Sequence, residues 1–292
     1  MVCFRYIDET LAVHEEFMGL HMCDNIKSET IVKTLEDVML RFDLKLSNCR
    51  GQCYDGGSNM AGSRSGVKAQ LLAKEPRALY MHCYGHALSL SICDAIKMIP
   101  LLRSTMDTVH EISKLLQYSP KRSHLFKHLQ EEISPDTPGI RVLCPTRWTV
   151  RHETIQSIMS NYEAFLVFWE EILEDHIDSE TRARVHCLNS QMKTFHFYFG
   201  LKLLHTVLVH ADNLSRTLQS TKMSAAEGQH IARLMLTTLS KIRSDSSYSL
   251  FWDNAKLDAE KLEIDGPDYL ANERLQEIMK WEVVKFIKHF CL

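Results

Sequence analysis

Apolar residues are spaced in two ways along this chain. In the first 100 residues they fall in short bursts. "VCFRYI" (2–7) is rich in β-formers, and "LAVHEEFMGLHMC" (11–23) follows Asp8-Glu9-Thr10 as its predicted hairpin partner. "SETIVKTLEDVMLRFD" (28–43) has Ile31, Leu35, Val38 and Met39 at helical spacing, with Ser28 as the expected N-cap. "KLSNCRGQCYD" (45–55) reads as the next strand, 58–75 as a helix, "ALYMHCYGH" (78–86) as a short strand and 87–99 as a helix stopped by Pro100. The predicted order is β-β-α-β-α-β-α.

Beyond residue 100 the stripes lengthen. Residues 101–134 predict helices broken near Ser119-Pro120, and "SPDTPGIRVL" (134–143) is a loop with three breakers. Long helices are expected over about 150–176, 179–219 and 224–246. Gly266-Pro267 closes this block, and one more helix is expected over 269–290. The change of pattern divides the chain into 1–100, a connecting segment 101–146, a helical region 147–265 and a C-terminal helix 266–292.

Composition narrows the class. The chain has 292 residues, is 45% hydrophobic and 24% charged, and holds only 11 Gly and 7 Pro, as a helix-rich globular protein would. A formal net charge of −3 argues against a globally basic nucleic-acid binder but leaves room for a local patch. Apolar runs are too short for a membrane span, and the start "MVCFRYIDET" does not read as a signal peptide. Nine scattered cysteines without a CxxC pair read as reduced thiols of the cytosol or nucleus.

Candidate chemistry begins at "CRGQCYDGGSNMAG" (49–62). Asp55 ends a predicted strand, where a carboxylate can project into a crevice and meet a hard cation such as Mg²⁺. The same residues also make an ordinary strand-to-helix turn, with Asp or Ser capping. Cys83 and His86 follow the "ALYMH" strand. Arg147 and Trp148 precede a long helix and could bind phosphate and stack a base. His196, His205 and His210 are poorly spaced for a metal, and Met192, Phe195, Phe199 and Leu203 form a core stripe.

Taken in order, GQxYDGxxNMxG (51–62), HCxxHxL (82–88) and TRW (146–148) resemble the body of the hAT-type DNA transposases and of the vertebrate proteins derived from them. The likeness is greatest to the group with MYM-type or THAP-type zinc-finger N-termini, and it runs from about residue 2 to 252. It implies α/β plus α: an incomplete ribonuclease-H-like mixed sheet followed by an all-helical insertion domain. The family's catalytic centre is an Asp-Asp-Glu triad on two divalent metals, Mg²⁺ or Mn²⁺. By resemblance Asp55 is the second Asp and a vestigial metal ligand. Cys83 and His86 match the C-x-x-H motif beside the site, and Arg147 and Trp148 match the R-W motif, whose Trp stabilises flipped DNA.

The triad's first Asp is expected upstream of "RYID". Asp8-Glu9-Thr10 aligns better with the turn after that strand. No motif supports Glu273, Glu277 or Glu282 as the final Glu. The chain is therefore expected to be a domesticated or truncated transposase-like protein without activity and without a cofactor. Its partners would be DNA, held weakly, or nuclear proteins, with no membrane association. An active metal-dependent transposase and a scaffold without DNA binding are the alternatives, and the oligomeric state is open.

Overall fold

A computed structural model describes residues 1–140, 151–220, 225–242, 244–268 and 271–281. The first strands, β1 (Val2–Ile7) and β2 (Val13–Gly19), form the predicted antiparallel hairpin. Its turn is held by Asp8, whose carboxylate accepts from the Thr10 amide and hydroxyl, the Ala12 amide and His14 Nε2. Helix α1 (Ser28–Arg41) follows, with Ser28 as its first residue rather than its cap.

The strand expected over 45–55 is shorter. Leu46–Asn48 is a 3₁₀ turn and only Gly51–Tyr54 is β3. The helix expected over 58–75 is two pieces, α2 (Ser58–Ala61) and α3 (Val67–Lys74). Gly62 and Gly66 are the reason. A Cβ on Gly66 would sit 2.5 Å from Gly62 N, so the backbone crosses itself here at a distance that only glycine allows. Strand β4 (Leu79–His82) then pairs with β3 in parallel, and α4 (Tyr84–Met98) follows.

The expected mixed pairing is present, but as two separate two-stranded sheets, one antiparallel and one parallel. Among the described residues no strand joins them.

Pro100 and Pro120 open the next helices, α5 (Pro100–Gln117) and α6 (Pro120–Ile133), since a proline at the first helical position lacks only an N–H that would be orphaned anyway. Ser119 caps α6 by accepting from Arg122 N. Residues 150–176 were expected as one helix and are two, α7 (Arg151–Ser160) and α8 (Tyr162–Glu174). They part at Asn161, which is fully buried; its amide donates to Pro138 O and Ser157 O, and its Oδ1 accepts from the Thr137 hydroxyl. Helices α9 (Ser179–Met192), α10 (Phe195–Leu218), α11 (Ala225–Ile242), α12 (Asp245–Lys261) and α13 (Ala271–Trp281) follow. No single described helix is long and apolar enough to cross a membrane.

Two compact units result. The first is Met1–Leu90 with Ser215–Gly228, and the second Ser91–Leu214 with Gln229–Leu292. In the first unit the buried cluster is Val32, Val67 and Leu71, lined by Ile31, Leu35, Leu46, Tyr54 and Met60. In the second the core is aromatic. Phe126, Phe165, Phe168 and Trp169 pack ring on ring, as do Phe195, Phe199, Tyr248 and Trp252. Polar tips inside it are used, Tyr162 Oη donating to Met192 O at 2.6 Å and Trp169 Nε1 to Met192 Sδ at 3.1 Å.

Candidate metal and nucleic-acid site around Asp55

Asp55 stands where the sequence placed it, one residue beyond β3. Its Oδ1 accepts from Gly57 N at 3.1 Å, so the carboxylate closes an Asx turn, and α2 begins without a side-chain cap. The carboxylate is otherwise exposed. The Tyr80 hydroxyl, from β4, donates to Asp55 O at 3.3 Å. Lys68 Nζ lies 4.6 Å from the centre of the Tyr80 ring, a cation–π contact that ties α3 to this strand. Partial desolvation, then the neighbouring Cys53, Asp55 and Cys83, push the Tyr80 phenol above its ordinary pKa.

Cys83 and His86 come to the same end of the parallel pair. Cys83 N donates to Tyr54 O at 3.0 Å, extending the ladder one residue past His82, and His86 sits in the first turn of α4. A residue that the motif reading passed over joins them. His82 lies 5.7 Å, ring to ring, from His86, and its Nε2 is buried without a hydrogen-bond partner. Gly56 makes room for it, because a Cβ there would come within 3.2 Å of the imidazole. The sequence signal for His82 was that glycine: a turn after Asp55 without a side chain admits a ring from the next strand.

Arg147 and Trp148 lie outside the described residues. Arg151, three residues on, starts α7 and donates from Nη1 to Cys93 Sγ at 3.0 Å. Among the basic residues of the first unit, Arg50 donates to Ser47 O and Cys49 O. Arg77 is engaged by Glu75 and Ser47 O, and Lys68 by Tyr80.

These residues do not fit a pair of divalent ions. Among the described residues, no three His, Cys, Asp or Glu side chains converge so that they could hold a metal ion. Mg²⁺ or Mn²⁺ wants several oxygen ligands at once, and Asp55 offers one carboxylate already tied to the turn.

Two family models match in tandem: one described as ZMYM1/FAM200, RNase-like domain, over residues 1–66, and one described as ZBED1 RNase-like helical domain, over residues 81–190. The first match ends after the Asp55 turn and α2, and the second begins inside β4. The chain is also similar to the "52 kDa repressor of the inhibitor of the protein kinase". It is 23% identical to the Mus musculus protein over 281 residues and 23% to the Homo sapiens protein over 276. Each match covers 90% of this chain and 36% of the relative, so the chain spans about a third of the length of these curated relatives. With the motifs at 51–62 and 82–88 and the α/β start followed by helices, these matches liken the chain to the hAT-transposase-derived, domesticated proteins with a ribonuclease-like body.

Proposed function

We propose that this chain is the non-catalytic body of a nuclear protein that works by binding, to nucleic acid or to protein, and not by phosphoryl transfer. The isolation of Asp55 carries this reading. Two-metal chemistry needs carboxylates converging on both ions, and the described residues offer no such group. The relatives' printed name describes a repressor, a task of recognition. Descent from enzymes that act on DNA supports a nuclear address and a residual affinity for DNA at Cys83, His86, Arg147 and Trp148. The described cysteines are free thiols, in keeping with a reducing compartment.

A specific observation favours protein over DNA as the main partner. Tyr6, Ile7, Phe17, Leu20 and Met22 of the hairpin region are all exposed, and Met22 is 97% exposed. Apolar surface on this scale is what interaction sites present. Arg50, Arg77 and Lys68 of the same unit, by contrast, are engaged by partners within it.

The test is a DNA-binding titration at two salt concentrations, with and without Mg²⁺, on wild type and on Arg147→Ala/Trp148→Ala. Binding that weakens with salt and with the double substitution supports a surviving DNA groove. Absence of binding at low salt leaves protein recognition. Mg²⁺-dependent cleavage that disappears in Asp55→Ala would overturn the non-catalytic reading.

A further inference from the structure

We propose that Cys53 and Cys83 form an oxidation-sensitive dithiol that closes into a disulfide across the ends of β3 and β4. Cys53 stands opposite Met81 in the parallel register, and Cys83 follows Met81 by two residues. Side chains alternate along a strand, so Cys53, Met81 and Cys83 share one face. The Cys83 amide is fixed to Tyr54 O at 3.0 Å, which holds the second thiol on the diagonal from the first, two positions along the same face. Burial, and then the nearby Cys83, push the Cys53 thiol above its ordinary pKa, so the two thiols feel each other. Cys53 is exposed and Cys83 half-buried, so a small oxidant reaches the pair.

Three other described thiols are engaged differently. Cys49 donates to Gly51 O, Cys23 shares a hydrogen bond with the Thr34 hydroxyl, and Cys93 accepts from Arg151.

The oxidant is hydrogen peroxide. One sulfur attacks the O–O bond, an S–O bond forms, and water leaves after proton transfer, giving a sulfenic acid. The second sulfur attacks that sulfur, the S–S bond forms, the S–O bond breaks, and the hydroxide departs with the remaining thiol proton as a second water. Two electrons pass from the sulfurs to the peroxide. The bridge ties the end of β3 to the start of α4, on both flanks of the Asp55 turn. A two-stranded ladder of four-residue strands is weak by itself, so a covalent tie here restrains the strand ends most prone to open. The inference does not depend on whether the site binds DNA or protein.

The experiment treats the full chain with limiting hydrogen peroxide, blocks remaining thiols with iodoacetamide, and maps peptides by mass spectrometry. The expected main product joins the Cys53 and Cys83 peptides, two hydrogens lighter than the reduced pair, and dithiothreitol reverses it. In Cys53→Ser the same treatment should leave a dimedone-reactive sulfenic acid on Cys83. Amide exchange at Tyr54 and Cys83 should slow in the oxidised wild type, a readout that needs no substitution. Bridges dominated by other cysteines, or separate sulfinic acids without a 53–83 link, would overturn the proposal.

Discussion

The Asp55 carboxylate accepts one hydrogen bond from Gly57 N, the use that any turn-forming Asp makes. Asparagine keeps that acceptor. Asp55→Asn should therefore change stability by no more than about 0.5 kcal/mol, and added Mg²⁺ should leave the melting temperature of both proteins unchanged. A metal-dependent rise seen only in wild type would mean that Asp55 still binds an ion. The motif made Asp55, Cys83 and His86 legible as a group. The motif contains His82 but gives it no role, because the approach of its imidazole to Gly56 is a tertiary fact that the glycine only permits. In the helical unit, His205 carries a different consequence. Burial, and then the neighbouring His152, hold its pKa below the ordinary histidine value. The unfolded chain therefore binds the proton more readily than the folded one. Its contribution to stability is complete above the unfolded pKa of about 6.5 and is lost as pH falls below it. The urea midpoint should drop between pH 7.5 and pH 5.5, and His205→Gln should flatten that drop. An equal drop in both proteins would place the proton elsewhere.

Helix and strand identities followed from periodicity, while the breaks within elements did not. Residues 58–75 carry one helical stripe, yet the Gly62–Gly66 crossing splits it, and a stripe cannot report that two backbones touch. Gly62→Ala should cost about 1–3 kcal/mol, since its Cβ would strike the carbonyl of Ser58. Gly139→Ala, with nothing within 4 Å of the added methyl, should be close to neutral. Thermal melts of the two variants check the contrast. The 150–176 stripe hides a break of another kind. Asn161 bonds to Ser157 O, Pro138 O and the Thr137 hydroxyl, and so holds the end of α7 against the segment after α6. Asn161→Ala strips three partners at a fully buried position and should cost about 1–3 kcal/mol by the same measurement. Ser119-Pro120 was legible as a break because proline acts through its own covalent geometry. Asn161 acts through partners distant in sequence, so its break was not.

At the scale of the molecule, the two units differ in what holds them. The first buries small aliphatic side chains such as Val32, Val38, Val67, Leu71 and Leu88 beside two separate two-stranded sheets, and it leaves Tyr6, Ile7, Phe17, Leu79 and Met81 exposed. Tyr162, Phe165, Phe168, Trp169, Phe195 and Phe199, all almost completely buried, hold the second. Since stability grows with apolar area removed from water, the second unit should outlast the first. The sequence made the division visible as a change of period, but not this imbalance, because a strand reads alike whether its face is covered or bare. Urea unfolding followed by amide exchange should then show two transitions, with β1 to β4 exchanging first and α8 and α10 last. Trp169→Ala should lower the second transition by about 3–5 kcal/mol and leave the first in place. Val67→Ala should shift the first alone. A single transition moved equally by both substitutions would show that the units fold as one, and the exposed hairpin would then have to be stabilised from within the chain. Two transitions would mean that the ribonuclease-like unit has stability still to gain from a partner, and a binder identified for this chain should raise the first midpoint and leave the second where it is.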